Sequence, residues 1–266
     1  MVTETPKPSD LTEYRRWLSE ELKEEVDERY YDSAASRLLS QTEQSAIWKQ
    51  VLGQLIGLDN KFHTQNDVFL LMHREPPKVV RKPFQSMLNK SYRKNVVNNP
   101  NWSDPPAGGW IAPSNWLSTI NDPIRTILVV KYLDGVSFLV AELENLAKTA
   151  GVPAQADYEA REEGYYACHL YLGQNGEVPE PRGGIRRVPY FFELQITTQL
   201  QDAIRPVTHD LYVARRARIG EPPSISWQWQ SESDEFRGNY LAHTLHHIEG
   251  LIVDVRKRVR KGDASP

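Results

Sequence analysis

Four groups of residues have the types and spacing that chemistry needs. Lys82, Ser86 and Lys90 are separated by i, i+4 and i+8. On a helix they would form one line. Two ammoniums and a hydroxyl at a helix N-terminus could hold phosphates with help from the dipole, although the same spacing also suits a solvated face. Asp122 stands just before the apolar run 124–130. A carboxylate there could hold Mg²⁺, which takes oxygen ligands, or simply make a turn before Pro123. In Gly164-Tyr165-Tyr166-Ala167-Cys168-His169, strand alternation puts Tyr165, Ala167 and His169 on one face. A ring and an imidazole side by side could stack on a base and bond a phosphate, or pack across strands. In Phe191-Phe192-Glu193-Leu194-Gln195-Ile196-Thr197-Thr198, Glu193, Gln195 and Thr197 share a face opposite Phe192, Leu194 and Ile196. That polar row could face solvent or form the floor of a cleft with Glu193 as base or metal ligand.

The elements that must position these residues follow from hydrophobic period and punctuation. Residues 11–31 and 32–57 carry apolar side chains at helical spacing, the second span with Asp32 or Ser33 as cap and Gly57 as stop. Val68-Phe69-Leu70-Leu71-Met72 suits a short buried strand, and residues 83–97 suit a helix. Residues 98–115 hold four prolines and two tryptophans; they are expected as an ordered loop, because Trp102 and Trp110 demand burial. Residues 124–130 are expected as a central strand and 136–150 as a helix ended by Gly151-Val152-Pro153. Residues 165–172 and 188–196 are expected as strands, with a Gly/Pro loop over 173–184 between them. A helix over 198–218 should stop before Glu221-Pro222-Pro223, and a long amphipathic helix should fill 233–260. Strands and helices interleave without a strict βαβ repeat. The expected class is α+β: a mixed β-sheet flanked by helices.

Composition excludes several classes. The chain has 266 residues, with 32 Lys plus Arg against 35 Asp plus Glu, a net charge of −3. That is no globally basic nucleic-acid binder, though a local patch remains open. With 39% hydrophobic and 10% aromatic residues, the chain should bury a real core. No run of 18 apolar residues occurs, so no membrane span is expected. The polar start lacks an apolar signal core, and a cytoplasmic location is expected. The single cysteine, Cys168, excludes an internal disulfide and reads as buried core. His243, His246 and His247 share one helical stretch without an evident carboxylate partner, and Arg256 to Lys261 reads as a basic helix end.

Taken in order, Lys82-x3-Ser86-x3-Lys90, Asp122 before a strand, Gly164-Tyr165-x3-His169, Glu193-x-Gln195-x-x-Thr198 and His209-x-x-Tyr212 resemble the RelA/SpoT synthetase domain, over roughly residues 65–216. The resemblance implies a nucleotidyltransferase-like mixed sheet with N-terminal helices and a long C-terminal helix. It divides the chain into a helical segment (1–60), a synthetase domain (61–220) and a helical extension (221–266). It implies a diphosphotransferase that moves the β,γ-diphosphate of ATP to the 3′-hydroxyl of GDP or GTP, making a (p)ppGpp-like alarmone. By position, Lys82 and Lys90, with Ser86, Arg81 and Arg125, would bind ATP. Asp122 and Glu193 would hold Mg²⁺. Glu193 could instead be the base for the 3′-hydroxyl, supported by Gln195. Tyr165 would stack on the acceptor base and His169 would contact acceptor phosphate. No His-Asp hydrolase half precedes the domain, so the resemblance is to small, stand-alone members; a homo-oligomer is a further expectation.

Three departures keep alternatives open. The family usually carries Arg where this chain has Val80 and Ile127, with Arg81 and Arg125 alongside. It carries Pro-Lys where this chain has Ala160-Arg161-Glu162-Glu163. Two carboxylates there suggest an acceptor other than a free diphosphate: a toxin pyrophosphorylating the 3′ end of tRNA, accompanied by an antitoxin. The two lost arginines suggest a non-catalytic nucleotide sensor. Asp122 and Glu193 argue against the sensor.

Overall fold

The computed structural model of the chain describes residues 6–180, 183–217 and 226–263. Capping side chains set the opening helices. Asp10 accepts from the backbone of Thr12 and Glu13 to start Leu11–Glu20 (α1). Asp27 does the same for Glu28–Gln44 (α2), and Ser45 caps Ala46–Asn66 (α3). The two helices expected over 11–31 and 32–57 are therefore three. The first stops at Glu20, the caps at Asp27 and Ser45 begin new ones, and α3 runs through Gly57. After them come Val80–Arg81 (β1), Phe84–Tyr92 (α4) continued by a π turn over Arg93–Val97, Trp116–Thr119 (α5), Ile124–Val130 (β2) and Leu133–Thr149 (α6). Ala154–Ala160 (β3), Tyr166–Pro179 (β4), Ile185–Thr198 (β5), Gln199–Ala217 (α7), a 3₁₀ turn over Trp227–Trp229 and Asp234–Asp263 (α8) complete the described order. The expected break at Glu221-Pro222-Pro223 lies outside the described residues.

The strands form a sheet of order β1-β2-β5-β4-β3. β2 and β5 run parallel and the other pairs antiparallel, so the sheet is mixed, as the sequence leads one to expect. The expected strand over 124–130 is β2, an interior strand between β1 and β5. Two further expectations change. Val68 to Met72 contributes a single bridge, Leu71 to Val130, held in place because the buried Asp59 carboxylate accepts from the Leu71 N–H and pairs with Arg74. Residues 173–179 are strand rather than loop, and the β4–β5 hairpin reverses only beyond Pro179.

One face of the sheet is apolar. Cys168, Leu170 and Leu172 of β4, Phe192, Leu194 and Ile196 of β5, and Ile124 and Val130 of β2 are all buried. The opening helices and α6 cover this face. Trp48 of α3 meets Phe192 edge-on at 5.2 Å, Thr42 of α2 bonds Tyr190 at 2.8 Å, and Gly135 of α6 sits against Val130. The loop after the π turn is pinned by its tryptophans, as expected. Trp102 and Trp110 lie 5.1 and 4.8 Å from Trp17 of α1. Asn95 ties Ile111 and Tyr14 together with three hydrogen bonds. The opposite sheet face is polar, and it carries the chemistry. Among the described residues no helix is long and apolar enough to cross a membrane.

Candidate active site

Strand alternation and register place the polar row. Arg125 of β2 is paired with Glu193 of β5, Glu193 with Tyr171 of β4, Gln195 with His169, and His169 with Asp157 of β3. These side chains share the face opposite the apolar core. Glu193 is buried between two donors. His169 Nδ1 lies 2.6 Å from its Oε1, and Gln195 Nε2 donates to its Oε2 at 2.9 Å. The other imidazole nitrogen, Nε2, lies 2.9 Å from the Tyr165 hydroxyl. The result is a hydrogen-bonded chain, Tyr165–His169–Glu193–Gln195, that fixes the Glu193 carboxylate in orientation.

Asp122 lies at the mouth of β2 and is 5% exposed. Lys82 Nζ donates to its Oδ2 at 2.5 Å and Lys90 Nζ to its Oδ1 at 2.9 Å. Arg125 Nη1 is 3.9 Å from Oδ2. Burial alone would raise the Asp122 pKa. The two ammoniums outweigh it and hold the carboxyl far below the usual range. The converse holds for Lys82, which burial pushes down and Asp122 partly restores. Lys82 precedes α4 and Lys90 lies in its last turn, so the helix sets their separation. Pro83 caps that helix without a side-chain bond.

Of the other expected ATP-site residues, Ser86 is exposed on the first turn of α4. Arg81 pairs with Asp32 of α2. It follows Val80 by one residue on β1, so its side chain leaves on the other face. Arg125 is on the polar face, beside Asp122. His209 and Tyr212 lie on α7, with side chains outside the described residues.

Three cations have no role in the sequence reading. Arg93 and Lys94 follow Lys90 on the π turn at i+3 and i+4, a spacing that could have flagged them. Burial, then the neighbouring Arg161 charge, pushes the Arg93 pKa down. Arg93 Nε is buried without a hydrogen-bond partner among the described residues. Arg161 is the third. Its guanidinium lies 5.1 Å from the Tyr165 ring centroid and pairs with Glu159. By contrast, the Glu162 carboxylate accepts from Gln228 Nε2 at 2.7 Å. The side chain over Tyr165 is thus a cation, where sequence reasoning had weighed two carboxylates. Tyr165 itself is held neutral; burial, then Glu159 and Glu193, raises its pKa.

Two of the residual histidines pack on Tyr166. His243 Nδ1 lies 2.7 Å from the Tyr166 hydroxyl, and the His246 ring stacks on Tyr166 at 3.6 Å. Among the described residues no group of three or more His, Cys, Asp or Glu could hold a metal. Mg²⁺ has a different requirement: one or two carboxylates plus substrate phosphates. Asp122 and Glu193 are buried carboxylates of the kind it takes. Both lie close enough to Tyr171 to raise its pKa after burial has done so. Cys168 is buried, its thiol pushed up by burial to about 12.

No family model and no curated protein matches the sequence. Solved structures do match. The small alarmone synthetase 1 from Bacillus subtilis, bound to its product pppGpp, superposes with a TM-score of 0.52 at 18% identity, covering 84% of this chain and 97% of that one. A second structure of the same Bacillus subtilis synthetase gives 0.52 at 16% identity, covering 85% and 97%. The chain has the fold of the small alarmone synthetases. This is the RelA/SpoT synthetase fold, an α+β mixed sheet flanked by helices. The likeness spans nearly the whole of that synthetase.

Proposed function

We propose that the protein is an ATP-dependent diphosphotransferase that moves the β,γ-diphosphate of ATP to the 3′-hydroxyl of GDP or GTP, making (p)ppGpp. The observation that carries this reading is the pairing of two charge arrangements on one sheet face. Lys82, Lys90 and Arg125 surround Asp122. On the strand beside Arg125, Glu193 is aligned by His169 and Gln195. Diphosphoryl transfer needs charge neutralisation at one end and an oriented acceptor hydroxyl at the other. The fold shared with a synthetase whose structure holds pppGpp supports the same acceptor class.

Residue roles follow from position. Lys82, Lys90, Arg93 and Arg125 take ATP phosphates; Ser86 lies at the outer edge of that group. Asp122 would hold Mg²⁺, which would supply charge neutralisation on the transferring phosphates. With ATP bound, the two lysines exchange Asp122 for phosphate oxygens and free its carboxylate. Glu193 accepts the 3′-hydroxyl proton, with Gln195 and His169 fixing its orientation. The Tyr165 ring stacks on the acceptor base, worth about 1–3 kcal/mol. Arg161 covers the same ring and supplies the positive charge that the missing Pro-Lys would have given to acceptor phosphate.

ATP labelled at the β-phosphate, incubated with GDP, GTP, ATP or tRNA, tests the reading. Label on GDP or GTP is expected. Label on tRNA alone would assign the toxin activity instead, and label on no acceptor would leave a nucleotide-binding protein without transfer.

A further inference from the structure

The turn that presents Tyr165 is spanned by one imidazole of α8. The turn closes on its own backbone. The Gly164 N–H donates to the Arg161 carbonyl at 2.9 Å, and the Arg161 N–H to the Tyr165 carbonyl at 3.0 Å. His243 then reaches both sides of it. Its Nε2 lies 2.9 Å from the Glu162 carbonyl oxygen, and its Nδ1 lies 2.7 Å from the Tyr166 hydroxyl. In sequence these two contacts bracket Glu163, Gly164 and Tyr165. A carbonyl oxygen can only accept, so Nε2 carries the ring proton. In the neutral ring Nδ1 then accepts from the Tyr166 O–H. Both nitrogens are engaged, and each holds a different side of the turn.

The support behind this imidazole is firm. The buried Glu249 carboxylate of α8 accepts from Thr198 Oγ1 at 2.7 Å, Gln201 Nε2 donates to the Ala242 carbonyl at 3.3 Å, and Arg256 pairs with Asp134 of α6. The His246 ring lies flat on Tyr166, with centroids 3.6 Å apart and planes 2° apart. The two contacts of His243 are not equivalent. Tyr166 opens β4 and is already held by its pairing with Ala160 of β3. Glu162 lies in the turn, outside either strand, so the bond to its carbonyl is the one that holds otherwise unpaired backbone. Tyr165 and Arg161 share that turn. The Tyr165 hydroxyl lies 2.9 Å from His169 Nε2, and the Arg161 guanidinium covers the Tyr165 ring. A turn free to open would move both away from the sheet, and an acceptor would have to order them as it bound.

We infer that His243 is a positioning residue for the acceptor: its Nε2–H holds the turn of residues 161–165 closed through the Glu162 carbonyl, so that Tyr165 and Arg161 are in place before the acceptor arrives. The inference rests on the acceptor role proposed above for Tyr165. Two neutral replacements split the imidazole. His243→Gln keeps an N–H near the position of Nε2 and loses the Nδ1 acceptor. His243→Asn keeps an acceptor near Nδ1 and is too short to reach Glu162. Two measurements read the result: steady-state transfer with each substrate varied in turn, and hydrogen exchange of the free protein over residues 159–166. His243→Asn should raise KM for GDP or GTP about tenfold and leave KM for ATP unchanged. It should also speed exchange of the turn while β5 keeps its protection. His243→Gln should stay within about twofold of the wild type in both measurements. An Asn variant with wild-type exchange, an Asn variant whose two KM values move together, or a Gln variant as impaired as the Asn variant would each overturn the inference. The exchange measurement needs no substrate. A wild type that transfers nothing while the exchange difference persists would therefore count against the proposed reaction and in favour of the hold of His243 on the turn.

Discussion

At the residue scale, Asp122 is held by two ammoniums, Lys82 and Lys90. Its carboxyl is held below its ordinary value of 3.8 by Lys82 and Lys90 despite burial. A carboxylate with a depressed folded-state pKa stabilises the fold above its unfolded pKa, and that stability is lost as pH falls through the folded value. The wild type should therefore lose stability on acidification below about pH 4, and Asp122→Asn should lose less over that range. Urea midpoints measured against pH for both proteins check this. Removing the partners tests function: Lys82→Ala or Lys90→Ala should weaken transition-state stabilisation by about 2–5 kcal/mol, read as a fall in kcat/KM for ATP. Unchanged turnover in both variants would make the lysines mere counter-ions of Asp122. Glu193→Gln keeps the size of the side chain and its neighbours His169 and Gln195. It should lower kcat by about 10²–10⁴-fold, the usual contribution of a general base, while leaving the melting temperature near that of the wild type.

At the element scale, the turn before Tyr165 is fixed by α8. Gly164 has φ +82, and a Cβ there would lie 2.6 Å from that of Ala242 and 3.0 Å from the Asn239 carbonyl oxygen. His243 Nε2 lies 2.9 Å from the Glu162 carbonyl oxygen. Gly164→Ala combines an unfavourable φ with overpacking and should cost about 1–3 kcal/mol. It should also raise KM for the acceptor more than KM for ATP, because it shifts the loop bearing Arg161 and Tyr165; comparing the two constants decides.

Much of this arrangement was legible in the sequence. The polar and apolar parities of Phe191 to Thr198 gave the two faces of β5. Type and spacing marked Asp122 and the two lysines as candidates, and the order of motifs along the chain gave them roles. What was not legible depends on tertiary contact. Gly173 and Gly176 read as a loop, yet they sit in β4 because Pro153 and Leu38 pack where their side chains would be. β3 was missed because Ala154–Ala160 alternates small and polar residues along an exposed edge, giving no hydrophobic signal. Arg161 was read as a neighbour of two glutamates, and only the turn geometry shows it over Tyr165.

At the scale of the whole molecule, the opening helices and the sheet share one buried cluster that runs from Tyr14 to Ile196. Its centre, Phe192, is fully buried against Trp48. Phe192→Ala should destabilise by about 3–5 kcal/mol. Since the cluster is continuous, the helices of residues 11–66 and the sheet should unfold together, with near-UV and far-UV signals coincident in urea. Separate transitions would mean that the N-terminal helices are an independent unit. The same continuity explains how α4, itself only nine residues, holds its lysine against Asp122: the helix rests on Tyr31 and Trp116 through Phe84. The molecule thus presents a cluster of cations around Asp122 and an aligned Glu193 carboxylate from elements that share one core. The measurement that tests this most directly is the stoichiometry and position of transfer. ATP and GTP are mixed with the protein, and the products are resolved by ion-exchange chromatography and ³¹P NMR. The account predicts one AMP for each GTP that gains two phosphates on its 3′-oxygen, with neither product formed by Glu193→Gln. Release of ADP, or no 3′-diphosphorylated nucleotide from any guanine acceptor, would contradict it.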